Sequence, residues 1–446
     1  MKISAHVSWP SAPLTDSLVR KALKNSGLAV HFSANDDLET ADKLLQWSTY
    51  DDLDHELTAL KRSSVLASSY TFRKALIRKH FLSRIIQGYI TKQPESLLKN
   101  AFPKTYEIEV SYADELDEMW TDELWEVGKA LEKKDKWWIL KPSMADRGMG
   151  IRLFHTKQEI QEIFESFEED SDDEVQEEEE ELSTTIVASQ LRHFVIQEYI
   201  QNPLLLNSLE LHSGTVSSDV AIARKFHLRA YCIASGAISL YLYTRVLALF
   251  SSENYRSPSD TPFIAETGQL DLRPHLTNSS LQTELGESNV RLLDELEDSI
   301  IISAGSGKDM RLSRSDIDML VKQMSDVLAE TFKAALQNPI HFQVLPNAFE
   351  LFGVDFLVEH DPNNATTPYQ IKLLEINSEP AIELTGPRLT WILEDLFSTV
   401  AKLFVKPFFT EAIAGGATSE MPSLWEIGEV REHFMKCLGE TVRQPE

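Results

Sequence analysis

The chain has 446 residues, 42% hydrophobic and 25% charged, which suits a globular protein with two or three cores rather than one. A formal net charge of −27 argues against non-specific nucleic-acid binding through a basic surface. Two cysteines, Cys232 and Cys437, lack pairing or metal-ligand spacing, which excludes a disulfide framework and a cysteine zinc site and points to a reducing compartment.

The opening MKISAHVSWP has no long apolar run and does not read as a signal peptide. KISAHVSW alternates as a strand does, LTDSLVRKALKNSG has helical spacing and stops at Gly27, and LAVHFS is a short strand. This β-α-β order predicts a small α/β domain over residues 1–64, followed by a polar link at Ser63–Ser69. FRKALIRKHFLSRIIQGYITKQ predicts one basic helix, and FPKTYEIEV an edge strand. DELDEMWTDELWEVGKALEKKD predicts one amphipathic helix with Trp120, Leu124, Val127 and Leu131 on a single face.

WWIL and IRLF then predict a hairpin, with Lys141, Ser143, Arg147, Gly148 and Gly150 in its connection. A connection that only reverses the chain needs two residues, so this longer, cationic one has another task. ESFEEDSDDEVQEEEEEL, 165–182, repels itself and has little to bury, so it reads as a disordered acidic insert. HFVIQEYI is a strand that closes a central unit, 65–200. In the remaining unit, 201–446, AYCIASGAISLYLYTRVLALF is interrupted by Arg245 and predicts paired strands rather than a membrane span. A polar loop insert follows at about 251–315. FELFGVDFLVEH and YQIKLLEINSEPA form a second predicted hairpin, and LTWILEDLFSTVAKLFV a last helix.

The candidate chemistry sits in the second hairpin. Residues two apart share a strand face, so Glu375 and Asn377 project together from an apolar segment, and Asp355 can meet them from the partner strand. Three oxygen donors without Cys or His suit a hard cation such as Mg²⁺ held jointly with nucleotide phosphates. The alternative is a satisfied polar cluster at a sheet edge. Lys141 and the glycines beside it can cover a polyphosphate. Backbone groups of Gln197, Glu198, Tyr199 and Ile200 can pair with an adenine edge. Lys225, Arg229 and Arg245 lie on largely apolar strands and call for an anionic partner or for the protein's own acids.

Taken in order, the lysine with its glycine loop, QEYI, KFHLR, HLTN (275–278) and ELFGVDFLV…LLEINSEPA resemble the tubulin-tyrosine-ligase-like family of ATP-grasp enzymes. FRKAL and FPKTYEI resemble its upstream motifs, so the likeness runs from about Tyr70 to Phe404. It is similar to fungal members of the family, some of them linked to processing bodies. The resemblance implies an α/β (α+β) ATP-grasp fold, with a small N-terminal α/β domain, a central subdomain and a C-terminal ATP-grasp subdomain. It implies ATP and Mg²⁺ as cofactors. Lys74, Lys141, Gly148, Gly150, Gln197, Glu198, Tyr199, Ile200, Lys225 and His227 would then line the nucleotide site. Asp355, Glu375 and Asn377 would hold the metal, and Arg229 and Arg245, with Lys141, would serve the acceptor's carboxylate and the transferring phosphoryl group.

The implied reaction adds a free amino acid to a protein tail through an acyl phosphate, with the tubulin C-terminus as a candidate acceptor. A cytoplasmic location, with processing bodies as one site, comes with that likeness. Neither a nucleic-acid nor a membrane partner is expected. His227 departs from the family, which carries an aspartate on the ribose there, and Glu198 stands where lysine is common. A catalytically weak ATP-grasp scaffold and a ligase for a small molecule or peptide are the two alternatives. The run DDEVQEEEEEL itself resembles a glutamate-rich tail and is a candidate internal competitor for a cationic cleft.

Overall fold

A computed structural model describes residues 3–32, 41–143, 149–173, 192–207, 223–264, 269–277, 289–303, 310–364, 366–380, 382–414 and 424–441. The first sheet is parallel, with strands β1 (Ile3–Ser8), β2 (Val30–Phe32), β3 (Leu44–Ser48) and β4 (Val65–Ala67) in the order β2-β1-β3-β4. The helix Pro13–Asn25 starts on a proline, buries Leu18, Val19, Ala22 and Leu23, and ends just before Gly27, whose φ of +77° reverses the chain. The expected β-α-β order is therefore present, and the sheet takes in β4, just past residue 64. Asn347 ties the sheet to the rest of the molecule by donating to the Thr58 and Val65 carbonyls at 3.0 and 2.8 Å.

The basic helix expected from residue 72 onward is two helices, Lys74–Ile77 and Lys79–Lys92. Arg78 between them is extended (φ −106°, ψ 120°), which turns Lys79 away from the direction of Lys74.

The central sheet contains β5 (Thr105–Glu109), β6 (Trp138–Pro142), β7 (Arg152–Phe154) and β8 (His193–Glu198) in the order β5-β8-β6-β7, all antiparallel. β5 is an edge strand and β6–β7 a hairpin, as expected. The single amphipathic helix is not formed. A 3-10 turn Ala113–Glu115 and a short helix Leu116–Met119 precede a separate helix, Trp125–Lys133. Thr121 and Asp122, both weak helix formers, stand at the break. Leu124, Val127 and Leu131 are buried as the spacing implied, whereas Trp120 is half-buried with Lys157 over its ring at 5.3 Å. The acidic run also needs correction. Its first part is helical, in the helix Lys157–Asp173, because Phe164 and Phe167 pack on Phe194 and anchor it. Residues 174–182 lie outside the described residues.

A two-residue ribbon, β9 (Leu206–Asn207) with β10 (Ala223–Arg224), leads into the largest sheet. That sheet holds β11 (Phe226–Ser235), β12 (Ser239–Phe250), β13 (Val290–Leu292), β14 (Phe349–His360), β15 (Tyr369–Asn377), β16 (Val430–Arg431) and β17 (Phe434–Gly439). Its order is β15-β14-β11-β12-β17-β16, with β13 on β12. One face packs on the helices Arg314–Leu336 and Lys79–Lys92 through residues such as Leu228, Cys232, Phe352 and Ile371. Part of the other face packs on the first sheet and the helix Thr390–Val400 through Tyr231, Tyr243, Phe349 and Phe397. The rest of that face turns toward the central sheet. The stretch 251–315, expected as a loop insert, contributes β13, and Leu270, Leu272 and Leu276 join Trp137, Ile139, Ile151 and Tyr199 in an apolar cluster. Both cysteines are free and buried. Among the described residues no helix is long and apolar enough to cross a membrane.

Candidate active site

One cleft lies between the central sheet and the free part of the large sheet, about 690 Å³ counted to its open mouth. That is within the range of small-molecule sites. β6 contributes Ile139 and Lys141, β8 and its end Gln197 to Ile200, β11 and the residue before it Lys225 and His227, and the two late strands Asp355, Leu357, Leu374 and Glu375.

The late hairpin delivers its acids through a bulge. Asp355 pairs with Glu375, but Phe356 pairs with Leu373, so Leu374 is an extra residue. A bulge re-aims side chains, and here both Leu374 and Glu375 reach the cleft while Leu373 and Ile376 stay in the core. Asn377 donates from Nδ2 to Glu375 Oε1 at 3.4 Å, which leaves its Oδ1 for other partners. Asp355 is gripped at both oxygens by Arg229, with Nη2 at 2.8 Å from Oδ2 and Nε on Oδ1. Among the described residues, no three His, Cys, Asp or Glu side chains form a metal cage. Two carboxylates and an amide instead suit a cation that takes its remaining oxygens from elsewhere.

The lysines face these acids. Lys141 is buried and donates to Gln197 Oε1 at 2.7 Å, and Gln197 is itself anchored by donating to Thr105 Oγ1 at 2.9 Å. Burial lowers the Lys141 ammonium to about 8, against the pull of Glu375. Burial, with Lys141 adding repulsion, lowers Lys225 to about 7. Burial alone would raise Glu375, but Lys79, Lys141 and Arg229 outweigh it and hold the carboxyl at about 2. Lys79 Nζ stands 3.3 Å from Glu375 Oε2.

A buried chain of hydrogen bonds fixes the cleft's far wall. Lys225 donates to the Tyr199 hydroxyl at 3.0 Å, and Tyr199 donates to His275 Nδ1 at 2.9 Å. His275 Nε2 donates to Thr261 Oγ1 at 2.9 Å, and Thr261 donates to the Ser257 carbonyl at 2.9 Å. Burial beside Lys225 pushes His275 down to about 3, so the ring is neutral, as this order of donors requires. His227 is buried and its Nδ1 meets Thr277 Oγ1 at 2.5 Å, while its Nε2 has no hydrogen-bond partner among the described residues.

The expected residues divide. Lys141, Gln197, Glu198, Tyr199, Ile200, Lys225, His227, Asp355 and Glu375 all line this cleft. At the hinge, the Glu198 and Tyr199 N–H groups donate to the Lys104 and Trp137 carbonyls at 2.8 and 2.9 Å. Among the described residues the Ile200 N–H has no backbone acceptor, which leaves it for a ligand edge. The Glu198 carboxylate is paired with Lys136 at 2.5 Å. Gly150, at φ +68°, has no room for a side chain, since a Cβ would meet Pro142 at 2.7 Å. Gly148 lies outside the described residues. Lys74 is exposed and outside the cleft's lining. Arg245 is also outside it, paired with Asp395 at 2.7 Å and lying 4.8 Å over Trp391. Lys79, Thr277 and the buried role of His275 were not read from the sequence. Lys79 was hidden by reading one helix where two exist, and His275 and Thr277 stood only within the HLTN motif.

Comparison with known proteins identifies the family and the fold. The tubulin-tyrosine ligase family model matches residues 61–413. A Schizosaccharomyces pombe protein named a probable tubulin–tyrosine ligase is 36% identical over 416 residues, covering 90% of this chain and 91% of its own length. A Saccharomyces cerevisiae protein, probable tubulin–tyrosine ligase PBY1, is 37% identical over 382 residues; these cover 83% of this chain but only 46% of the yeast protein. The crystal structure of the C-terminal domain of K. lactis Pby1 matches with a TM-score of 0.63 at 31% identity, covering 99% of this chain and 100% of that one. That protein is described as an ATP-grasp enzyme interacting with the mRNA decapping enzyme Dcp2. The fold is accordingly ATP-grasp, and the chain belongs to the tubulin-tyrosine ligase family.

Proposed function

We propose that this protein is an ATP- and Mg²⁺-dependent ligase that joins the amine of a free amino acid to a carboxylate on a protein tail. The observation that carries this reading is the convergence of Lys141, Lys225, Asp355 and Glu375 on one cleft beside the open Ile200 N–H. Two buried ammonium groups that repel one another are a poor arrangement unless an anion comes between them. A polyphosphate supplies that anion.

Glu375, Asn377 and Asp355 would hold Mg²⁺, which when bound neutralises charge on the phosphates. Lys141, kept in place by Gln197, holds phosphate oxygens. Lys225, fixed through Tyr199 and His275, holds the opposite side. His227 Nε2, 3.6 Å from Asp355 Oδ1 and without a hydrogen bond among the described residues, is proposed to turn to a ribose hydroxyl when nucleotide is bound. In the reaction an acceptor carboxylate oxygen attacks the γ-phosphorus and ADP leaves. The amine nitrogen then attacks the acyl carbon, phosphate leaves, and the amine loses a proton. The side chains contribute position and charge; no protein nucleophile is needed. Arg229 and Arg245 are proposed for the acceptor's carboxylate, which for Arg245 requires exchange of its Asp395 partner. The tubulin C-terminus is a candidate acceptor, and the cytoplasm, including processing bodies, a candidate location.

The test is ADP release by the full chain with a panel of amino acids and carboxylate-ended peptides, beside Glu375→Gln. Amino-acid-dependent release that the variant abolishes is the expected result, and ATP binding with no such release overturns the reading. One arrangement favours a second reading, that of a nucleotide-holding scaffold. Arg229 occupies both Asp355 oxygens, and a neutral histidine stands at 227. A relative described as binding a decapping enzyme fits that role.

A further inference from the structure

Asp355 and Glu375 stand in a row of charges that runs across three strands. Arg229 on β11 pairs directly with Asp355 on β14, and Asp355 pairs directly with Glu375 on β15. A cation closes each end of the row. Arg229 grips both Asp355 oxygens, and Lys79, the first residue of the helix Lys79–Lys92, stands 3.3 Å from Glu375 Oε2. A metal ion that takes oxygens from these two carboxylates therefore competes for them with the protein's own cations. Each cation that yields its acid is left partly buried with less negative charge beside it, which is costly until another anion arrives.

Position says which anion that is. Neither Lys79 nor Arg229 lines the cleft that Lys141, Lys225 and the hinge enclose. The Arg229 stem runs instead over Gly353, where a Cβ would stand 3.5 Å from its Cδ. Along β14, Gly353 lies two residues from Asp355 in the direction away from Leu357, which lines the cleft. Lys141 and Lys225 serve the phosphates, which leaves these two outer cations for the second anionic reactant.

We propose that Lys79 and Arg229 bind the carboxylates of the acceptor, and that each turns to them as its own acid turns to Mg²⁺. This assignment rests on the ligase reading above and adds Lys79 to the groups that touch the acceptor. Metal and acceptor then raise each other's affinity by one factor, because both draw on the same exchange of partners. The acceptor's seat is completed only beside a loaded nucleotide, so a carboxylate is held when its phosphoryl donor is present.

The test measures binding of acetyl-hexaglutamate to the full chain by calorimetry in about 0.15 M salt, which screens long-range repulsion. The arms hold a non-hydrolysable ATP analogue with Mg²⁺, the analogue with EDTA, or neither. Peptide is expected to bind at least about tenfold tighter with analogue and Mg²⁺ than in either other arm, a usual size for coupled sites. Lys79→Met should remove most of that gain. The same variant should bind Mn²⁺ in the analogue complex about fivefold tighter by electron paramagnetic resonance, because Glu375 has lost a competing cation. A damaged site would lose metal and peptide together, so the opposed shifts identify the exchange. Arg229→Lys keeps the charge without the two-oxygen grip and should move both affinities in the same senses, more weakly. Lys402→Met removes an exposed cation paired with Glu432 and controls for net charge, so its coupling should match that of the unmodified chain. Equal peptide binding in all arms, or none in any, overturns the proposal. So does a Lys79→Met variant that weakens both ligands, a Lys402→Met variant that loses the gain, or metal coupling shown by free glycine and not by the peptide. Full ADP release by Lys79→Met at unchanged peptide KM overturns it too and leaves the ligase reading standing. Metal-coupled peptide binding without ADP release with any amino acid keeps the exchange and removes the ligase reading.

Discussion

Glu375 shows how a single side chain is tuned by its surroundings. Burial opposes its charge, yet Lys79 at 3.3 Å, with Lys141 and Arg229, keeps it ionised at every ordinary pH. Glu375→Gln keeps the volume and removes the charge. ADP release should fall about 10²–10³-fold, as for loss of one strong electrostatic group in a site, in a steady-state assay. Lys225 is the opposite case. Burial beside Lys141 lowers it to about 7, so raising the pH from about 6 to about 8 removes a positive charge from the ligand-free cleft. An anionic nucleotide favours the charged form. Its affinity should therefore weaken as pH rises through about 7, with proton uptake on binding above that point. Calorimetry in buffers of different ionisation enthalpy reads both, and Lys225→Met should flatten the profile.

At the scale of elements, the bulge on β15 brings Leu374 and Glu375 to one side of the sheet. Deleting Leu374 makes the pairing even, keeps Glu375 opposite Asp355, and removes one apolar side chain and the bulge's local twist from the cleft. Nucleotide binding should weaken about tenfold by calorimetry while the circular-dichroism strand signal persists. Gly353→Ala presses a Cβ onto Pro380, so about 1–3 kcal/mol of stability should be lost, together with turnover, because Pro380 lies three residues from Asn377. A control lies on the far side of the sheet. Ser313 caps the helix Arg314–Leu336, accepting from the Asp316 N–H at 3.2 Å while Asp316 accepts from the Ser313 N–H at 2.8 Å. Ser313→Ala should cost about 1 kcal/mol in urea unfolding and leave ATP affinity unchanged.

For the whole molecule, a net charge of −27 opposes the approach of any glutamate-rich tail. Salt screens that repulsion. If the acceptor is acidic, its apparent KM should fall as ionic strength rises, and fall further when residues 168–182 are deleted. A KM that rises with salt in the full chain would instead mean that local attraction to the cleft's cations outweighs the repulsion.

The sequence by itself determined the paired strands 226–250 and 349–377, the central hairpin, the β-α-β opening and the residues that meet in the cleft. These are local properties: strand alternation puts Glu375 and Asn377 on one side, and apolar spacing marks what is buried. Tertiary structure alone decided the rest. Lys79 rather than Lys74 reaches Glu375 because one extended residue, Arg78, divides the helix, and no hydrophobic period registers a single turned residue. The acidic run is helical to Asp173 because Phe167 finds Phe194, a partner distant in sequence. His275 matters because Tyr199 and Thr261 close on it from different segments. Arg229 and Lys79 flank Asp355 and Glu375 because three strands and a helix meet there, and only packing between distant segments can arrange that.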